Sequence, residues 1–182
     1  MNADAPTEVL FIGGRAGVGK STVAAEASHL LASAKVQHAL IEGDNLDQAY
    51  PEPWRGGVDL AEQNLAAMWK NYRDAGYRRL IYTNTVSILQ IKPLIAALGG
   101  TVRSVGVLLT ASDEATRSRL ALREIGSAFE EHVQRSAAAA RKLAAEAEPA
   151  IHRVDTDGRT VNQIAREIVG LTGWSRAQDR SV

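Results

Sequence analysis

Cysteine is absent from the sequence, and this absence excludes disulfide bonds, thiolate metal sites and cysteine nucleophiles together. An excess of charge of either sign is missing too, since 21 lysines and arginines balance 21 aspartates and glutamates. A balanced chain has no overall basic field that would gather nucleic acid or anionic lipid. Glycine and proline, with 15 and 5 residues, are too few for a low-complexity or disordered chain. The composition is therefore that of an ordinary globular protein, and neither a nucleic-acid nor a membrane partner is expected.

Long apolar stretches are missing as well. A helix that spans a bilayer needs about 20 mostly apolar residues, and no segment approaches that length. The N-terminal segment is acidic and lacks the basic start and apolar run of a secretory signal. Together with the lack of cysteine, these features predict a cytoplasmic protein. The length predicts a single domain over residues 1–182, with frayed ends at residues 1–7 and 175–182.

Short apolar runs alternate with amphipathic segments along the whole chain. Runs typical of buried parallel strands occupy residues 9–12, 38–41, 80–82, 102–109 and 151–154. Helical spacing of apolar residues, capping residues and alanine enrichment predict helices at residues 20–34, 60–75, 91–98, 127–148 and 161–171, and a further one beginning near residue 113. This alternation predicts the α/β class, as a three-layer sandwich with helices on both faces of a five-stranded parallel sheet.

One motif lies between the first predicted strand and the first predicted helix. Residues 14–21 read GRAGVGKS and match the pattern G-x-x-x-x-G-K-[ST]. In such a loop backbone N–H groups point at phosphate oxygens, the lysine reaches the β- and γ-phosphates, and the serine hydroxyl ligates Mg²⁺. The predicted nucleotide-binding residues are Gly14, Ala16, Gly17, Val18, Gly19, Lys20, Ser21 and Thr22. The alternative is a glycine-rich turn with a solvated lysine.

With this motif the chain resembles the P-loop NTPase superfamily. Within it, the chain is similar to the small-molecule and nucleotide kinases, which include adenylylsulfate, gluconate and shikimate kinases and chloramphenicol phosphotransferase. The resemblance rests on residues 14–22, on EGDN at residues 42–45, on RLALR at 119–123 and on VDTDGR at 154–159. It implies the P-loop kinase type of fold, a helical lid at about residues 113–136, ATP and Mg²⁺ as cofactors, and a small-molecule acceptor.

Asp44 is the candidate carboxylate on the acceptor side. It follows the second predicted strand, at the sheet edge that carries the phosphate loop, and the matching aspartate of the resembling kinases works at the acceptor. The alternative is that Asp44 only caps the turn at residues 43–45. The third strand ends in YTNT at residues 82–85, without a carboxylate to orient a metal. Either Asp44 holds Mg²⁺ through water, as the resemblance to these kinases allows, or metal handling and catalysis are compromised.

Two arginines are candidates for the lid. Arg119 and Arg123 are four residues apart and share one helix face. The resemblance implies that the first stacks on adenine and the second touches the transferring phosphates, so Arg123 is predicted to be catalytic together with Lys20. The alternative is a solvated helix face paired with nearby carboxylates. Thr156 lies in the segment that resembles an adenine-binding loop, although a simple Asp-Gly turn explains the same residues.

The acceptor is predicted to bind between the second and third strands, because the resembling kinases bind theirs there. Tyr50, Trp54 and Arg55 belong to a proline-bearing loop, and Asn84 follows the third strand. Aromatic and cationic groups suit a ring or an anionic substrate. Trp69, at helical spacing, is predicted to lie in the core. The four histidines are scattered, so we assign them no metal or general-base role.

These features predict an ATP- and Mg²⁺-dependent phosphotransferase that acts on a hydroxyl of a small molecule. The alternative, motivated by the missing carboxylate after the third strand, is a nucleotide-binding regulatory or partner-binding protein with little or no kinase activity. The zero net charge disfavours a nucleic-acid-dependent NTPase. A monomer and a homodimer are both compatible with the sequence.

Overall fold

Five parallel strands form the centre of the structure, a computed structural model that describes residues 5–122 and 129–174. The strands are β1 (Thr7–Gly13), β2 (Ala39–Glu42), β3 (Arg79–Thr83), β4 (Val102–Thr110) and β5 (His152–Asp155). They lie in the order β2-β3-β1-β4-β5. Because β1 pairs with both β3 and β4, the loop that follows β1 lies in the middle of the carboxyl edge of the sheet.

Six α-helices cover the sheet within these ranges. They are α1 (Lys20–Ser33), α2 (Leu60–Asp74), α3 (Ile91–Leu98), α4 (Asp113–Ala121), α5 (Phe129–Glu146) and α6 (Val161–Thr172). Short 3₁₀ turns occupy Gly43–Asn45, Pro53–Gly56 and Ser87–Leu89. In the part of the chain that the structure describes, none of the helices combines the length and the apolar character needed to cross a bilayer.

The two faces of the sheet carry separate apolar cores. Leu10 and Ile12 of β1 pack on one face with α1 and α6, whereas Val9 and Phe11 pack on the other with α2 and α3. Successive strand residues point to opposite faces, so the whole apolar run is buried, as a central parallel strand requires. Trp69 of α2 is fully buried in the second core, which confirms its prediction as a core residue.

The predicted fold class is confirmed, and the strand and helix boundaries differ from the predicted ones by at most two residues. The predicted fraying of residues 1–7 is wrong at Thr7, the first residue of β1. Its amide donates to the Thr101 carbonyl oxygen at 2.9 Å, and its buried hydroxyl accepts from the Trp69 indole at 3.3 Å. The rest of the predicted frayed ends at residues 1–4 and 175–182, and residues 123–128 of the predicted lid, lie outside the described residues.

Candidate active site

The phosphate loop of residues 14–21 joins the central strand β1 to α1. Gly14 has a φ of 149°, and a Cβ there would lie 2.8 Å from the Leu109 carbonyl oxygen. Gly19, which precedes α1, has a φ of 103°, in the left-handed region. Both positions therefore favour glycine strongly. No side chain of the described residues caps α1, so the first N–H groups of this helix and its positive dipole end face the loop. This arrangement suits a bound phosphate group.

Lys20, the first residue of α1, is buried and reaches back across the loop. Its Nζ lies 3.5 Å from the Arg15 carbonyl oxygen and 3.3 Å from Thr85 Oγ1, and it donates to both. Thr85 follows β3, so these bonds hold the ammonium at the carboxyl edge where β1 and β3 end. This position does not fit the alternative of a solvated lysine on a structural turn.

Glu42, the last residue of β2, places its carboxylate on the hydroxyl of Ser21. Ser21 Oγ donates to Glu42 Oε2 at 3.1 Å, and Thr83 Oγ1 donates to the same oxygen at 3.0 Å. Glu42 and Thr83 are register partners in the β2–β3 pair, so strand pairing itself positions this carboxylate. Glu42 belongs to the EGDN segment on which the resemblance rests, and no role was predicted for it. Its position at the end of an apolar strand is the sequence feature that could have identified it as a candidate metal ligand.

A hydroxyl and a carboxylate are the oxygen ligands that Mg²⁺ prefers, so Ser21 and Glu42 fit this ion. Residues 5–122 and 129–174 contain no group of three or more His, Cys, Asp or Glu side chains that could hold a metal by itself. Mg²⁺ at phosphate sites is usually held by one or two side chains, with waters and phosphate oxygens completing its shell. No carboxylate follows β3, and Glu42 at the end of β2 supplies one at the same edge of the sheet.

Asp44 lies in the 3₁₀ turn after β2 and is exposed. Its Oδ1 accepts from the backbone amide of Thr85 at 3.2 Å, so the contact joins two strand ends rather than capping its own turn. Lys20 donates to the hydroxyl of the same Thr85, which brings the two predicted catalytic side chains to one point on the sheet edge. The carboxylate that contacts Ser21 belongs to Glu42 and not to Asp44. The acceptor-side role of Asp44 stays a prediction.

Arg119 on α4 bridges the phosphate loop and the loop that follows β5. Its guanidinium donates to the Val18 carbonyl oxygen at 3.2 Å and to Thr156 Oγ1 at 2.9 Å. A cavity of about 360 Å³ lies beside the loop and includes Arg119, Thr156, Gly17, Val18 and Thr22 in its lining. The structure thus brings Arg119 and Thr156 together at the loop, and within residues 5–122 and 129–174 Arg119 forms no ion pair with a carboxylate. Stacking of Arg119 on adenine stays a prediction.

The loop after β5 is anchored to the start of α4. Asp157 Oδ2 accepts from the Ser112 amide at 2.9 Å. Hydrogen bonds from the Ser112 hydroxyl and amide hold the pKa of the Asp157 carboxyl below its usual value. The carboxylate is therefore charged at neutral pH, and it keeps Thr156 next to the helix that carries Arg119. The second predicted lid arginine, Arg123, lies outside the described residues.

Arg15 is a further candidate that the sequence analysis did not assign a role. The side chain is buried, its Nη1 is paired with Asp113 at the start of α4, and its Nε donates to Ser136 Oγ on α5 at 2.8 Å. Ser136 Oγ in turn donates to the Ala16 carbonyl oxygen at 2.8 Å. The Arg15 guanidinium holds the pKa of Asp113 below its usual range. One loop side chain therefore ties the phosphate loop to both helices of the predicted lid.

Arg15→Lys is expected to weaken nucleotide binding, because an ammonium lacks the planar fork that reaches Asp113 and Ser136 at once. The expected loss of affinity is about tenfold, equivalent to one hydrogen bond to a charged group. Titration with a fluorescent ATP analogue measures it. Arg166→Lys on α6 is the matched control, since Arg166 is exposed and donates to Asn162 Oδ1 at 2.8 Å, away from the predicted lid. Equal affinities of the two variants would show that the Arg15 contacts do not position the loop.

A second cavity, of about 350 Å³, lies at the carboxyl ends of β2 and β3. Trp54 and Asn84, both predicted acceptor residues, line it. Tyr50 and Arg55 do not line it, and their assignment as acceptor contacts stays a prediction. Tyr50 is 94% exposed. The Arg55 guanidinium lies 3.4 Å from Glu52 in an exposed pair one turn apart, which satisfies its charge outside the cavity.

The comparisons with known proteins agree with this geometry. No family model and no curated protein matches the chain. Among solved structures, a gluconokinase from Sinorhizobium meliloti 1021 is 21% identical, with 96% of this chain and 94% of that chain covered and a TM-score of 0.57. A tunicamycin resistance protein from Deinococcus radiodurans is 19% identical, with 92% and 96% covered and a TM-score of 0.61.

An APS kinase from Mycobacterium tuberculosis, solved in complex with AMPPNP and APS, is 17% identical, with 92% of this chain and 98% of that chain covered and a TM-score of 0.53. These structural neighbours are P-loop kinases that cover nearly the whole chain. The sheet order, the phosphate loop after the central strand and these likenesses lead to one conclusion. The chain has the α/β fold of the small-molecule P-loop kinases.

Proposed function

We propose that this protein transfers the γ-phosphoryl group of ATP, as its Mg²⁺ complex, to a hydroxyl of a small molecule. The observation that carries the proposal is the position of the phosphate loop between two cavities. The cavity of about 360 Å³ lies on the β4 and β5 side of β1, and the cavity of about 350 Å³ lies on the β2 and β3 side. A donor nucleotide and an acceptor can therefore approach the same loop from opposite sides.

The side chains at this edge match the needs of phosphoryl transfer, which depends on positioning and charge stabilisation. Lys20 and the loop amides bind the β- and γ-phosphates. Ser21 and Glu42 hold Mg²⁺, which when bound neutralises phosphate charge. Asp44 orients the acceptor hydroxyl and takes its proton. The acceptor oxygen forms a bond to the γ-phosphorus, the bond to the β-phosphate oxygen breaks, and ADP leaves.

A closed lid would keep water away from the transferring phosphoryl group and limit ATP hydrolysis. In the described chain, the contacts of Arg15 with Asp113 and of Arg119 with the Val18 carbonyl oxygen already hold α4 against the phosphate loop. We propose that Arg123 completes the lid on the transferring phosphates, as the resemblance implies.

The alternative, a regulatory nucleotide-binding protein, was motivated by the absence of a carboxylate after β3. Glu42 at the end of β2 accepts a hydrogen bond from Ser21, so a carboxylate is present at the phosphate loop. The reason for preferring the regulatory alternative therefore no longer applies. The cavity on the β2 and β3 side also favours an enzyme, because a protein that only binds a nucleotide needs no second cavity next to its phosphate loop.

Incubation with Mg·ATP and a pooled library of small alcohols, followed by mass spectrometry, tests the proposed function. The pool should include gluconate, shikimate and APS, because a gluconokinase, a shikimate kinase and an APS kinase are among the structural neighbours. We expect one phosphorylated product, and its loss in Lys20→Ala. Lys70→Ala is the matched control, because Lys70 forms only an exposed pair with Asp74 at 2.6 Å. ATP binding without any product would favour the regulatory alternative.

A further inference from the structure

The cavity on the β2 and β3 side is acidic. Its lining includes the carboxylates of Asp47, Asp59 and Glu62, and no arginine, lysine or histidine. None of these three carboxylates forms an ion pair or a side-chain hydrogen bond with another residue in the ranges 5–122 and 129–174. They come from the segment after β2 and from the start of α2, so the fold concentrates negative charge at the place where the acceptor would bind.

Tyr82 provides an independent sign of a ligand in the same cavity. Its side chain is 1% exposed and lines the cavity, yet its hydroxyl makes no hydrogen bond to any of the described residues. Burial, assisted by the charges of Asp44, Glu62 and Asp47, raises the pKa of the Tyr82 phenol well above its usual value. The phenol is therefore neutral at physiological pH. The hydroxyl oxygen is not among the fully buried polar atoms of the described residues that lack a partner, so it borders the cavity and is open to a hydrogen bond with a ligand there.

The other side chains of the cavity indicate the chemical character of this ligand. Trp54 is 57% exposed and lines the cavity, and its ring offers a face for a cation. Apolar side chains, including Val58, Leu60 and Leu94, supply the rest of the lining. A carboxylate, sulfate or phosphate on the acceptor would meet three unpaired like charges and no cation, whereas an ammonium would find both carboxylates and an aromatic ring.

We propose that the acceptor is a small alcohol that carries a protonated amine, such as an amino sugar or an amino diol, and that Asp47, Asp59 and Glu62 select it by charge. This inference rests on the proposed function and names the class of its acceptor. The sequence predicted a ring or an anionic substrate, and the inference departs from the anionic alternative. The ammonium lies among the carboxylates, and the hydroxyl that receives the phosphoryl group points toward Asp44 at the neighbouring strand end.

Two matched sets of probes test the selection. The first set is glucosamine, N-acetylglucosamine and gluconate, and the second is serinol, glycerol and glycerate. Binding is measured by calorimetry in the presence of Mg·AMPPNP, so that it does not depend on transfer. We expect the amine of each set to bind at least about tenfold more tightly than its neutral partner, with the anion weakest, and added salt to narrow the difference. Tighter binding of an anion, or no preference for either amine, overturns the inference.

The double variant Asp59→Asn/Glu62→Gln removes two charges while keeping similar shapes. It is expected to weaken amine binding about tenfold and to leave binding of the neutral probes unchanged. Asp74→Asn, at an exposed position that pairs with Lys70, is the matched control. An equal loss for amine and neutral probes would show that the carboxylates shape the cavity without selecting charge, and would overturn the inference.

Tryptophan fluorescence tests the charge of the cavity without any acceptor. Trp54 is exposed, whereas Trp69 and Trp174 are buried, so soluble quenchers report mainly on the cavity mouth. We expect iodide to quench the double variant more than the wild type, and caesium to quench it less. Identical quenching of the two proteins would contradict a negative cavity.

Because neither quenching nor AMPPNP-supported binding requires turnover, a protein that fails to transfer phosphate can still confirm or overturn the charge selection. Transfer to an anion would leave the proposed function standing and remove the inference.

Discussion

Asp44→Asn is expected to lower kcat by a factor of about 10² to 10⁴, the range that a positioned general base contributes. The asparagine side-chain oxygen can still accept the hydrogen bond from the Thr85 amide, so the turn after β2 keeps its shape. What disappears is the negative charge that we propose orients the acceptor hydroxyl and receives its proton. Initial rates of phosphorylated product, measured at saturating Mg·ATP, give kcat, and titration with a fluorescent ATP analogue gives the nucleotide affinity.

The affinity for ATP should change little in Asp44→Asn, because the phosphate loop itself is untouched. Asn45→Ala is the control for the turn, since Asn45 is the exposed neighbour of Asp44 in the same 3₁₀ turn. It should keep kcat within about threefold of the wild type, in line with a surface substitution of small energetic effect. Similar rates for Asp44→Asn and the wild type would remove Asp44 from the reaction and leave the acceptor proton without a protein partner.

Glu42→Gln is the second variant with a large expected effect, a loss of about 10- to 100-fold in apparent Mg²⁺ affinity or in activity. Glutamine retains an oxygen that can accept from Ser21 and Thr83, so the β2–β3 edge stays in register. The loss of charge weakens the hold on a divalent cation. Activity measured against Mg²⁺ concentration at saturating ATP should therefore show a higher requirement, partly restored by excess Mg²⁺.

The two carboxylates can be told apart by these curves. Glu42→Gln should shift the Mg²⁺ dependence, whereas Asp44→Asn should lower the plateau at every Mg²⁺ concentration. If Asp44→Asn shifted the Mg²⁺ dependence of activity and Glu42→Gln did not, Asp44 rather than Glu42 would be the residue that holds the metal. Thr83→Val helps to separate charge from packing, because it removes one hydrogen bond to Glu42 and keeps the carboxylate on Ser21. Its effect should be several-fold smaller than that of Glu42→Gln.

Features that depend on residues close together in the chain could be predicted from the sequence, and features that depend on contacts between distant residues could not. The glycine and lysine positions of residues 14–21 form one continuous segment, and the alternation of strands and helices is a local pattern, so both could be predicted. Trp69 was assigned to the core by its spacing alone, and the structure buries it completely. Arg55 was assigned to the acceptor by its charge and by its place between β2 and β3, whereas the structure pairs it with Glu52 and leaves it out of the cavity lining.

The sequence by itself therefore determined the α/β class and the phosphate-loop motif, and it predicted the edge of the sheet at which we propose the reaction, because each depends on neighbouring residues. Only the tertiary structure decided that Glu42 meets Ser21 through the register of β2 with β3, and that Arg15 reaches Asp113, 98 residues away. It also decided the charge of the second cavity, where separate segments bring carboxylates around Tyr82. Charge and hydrogen bonding depend on distances in space, and a linear pattern does not contain the pairing that sets those distances.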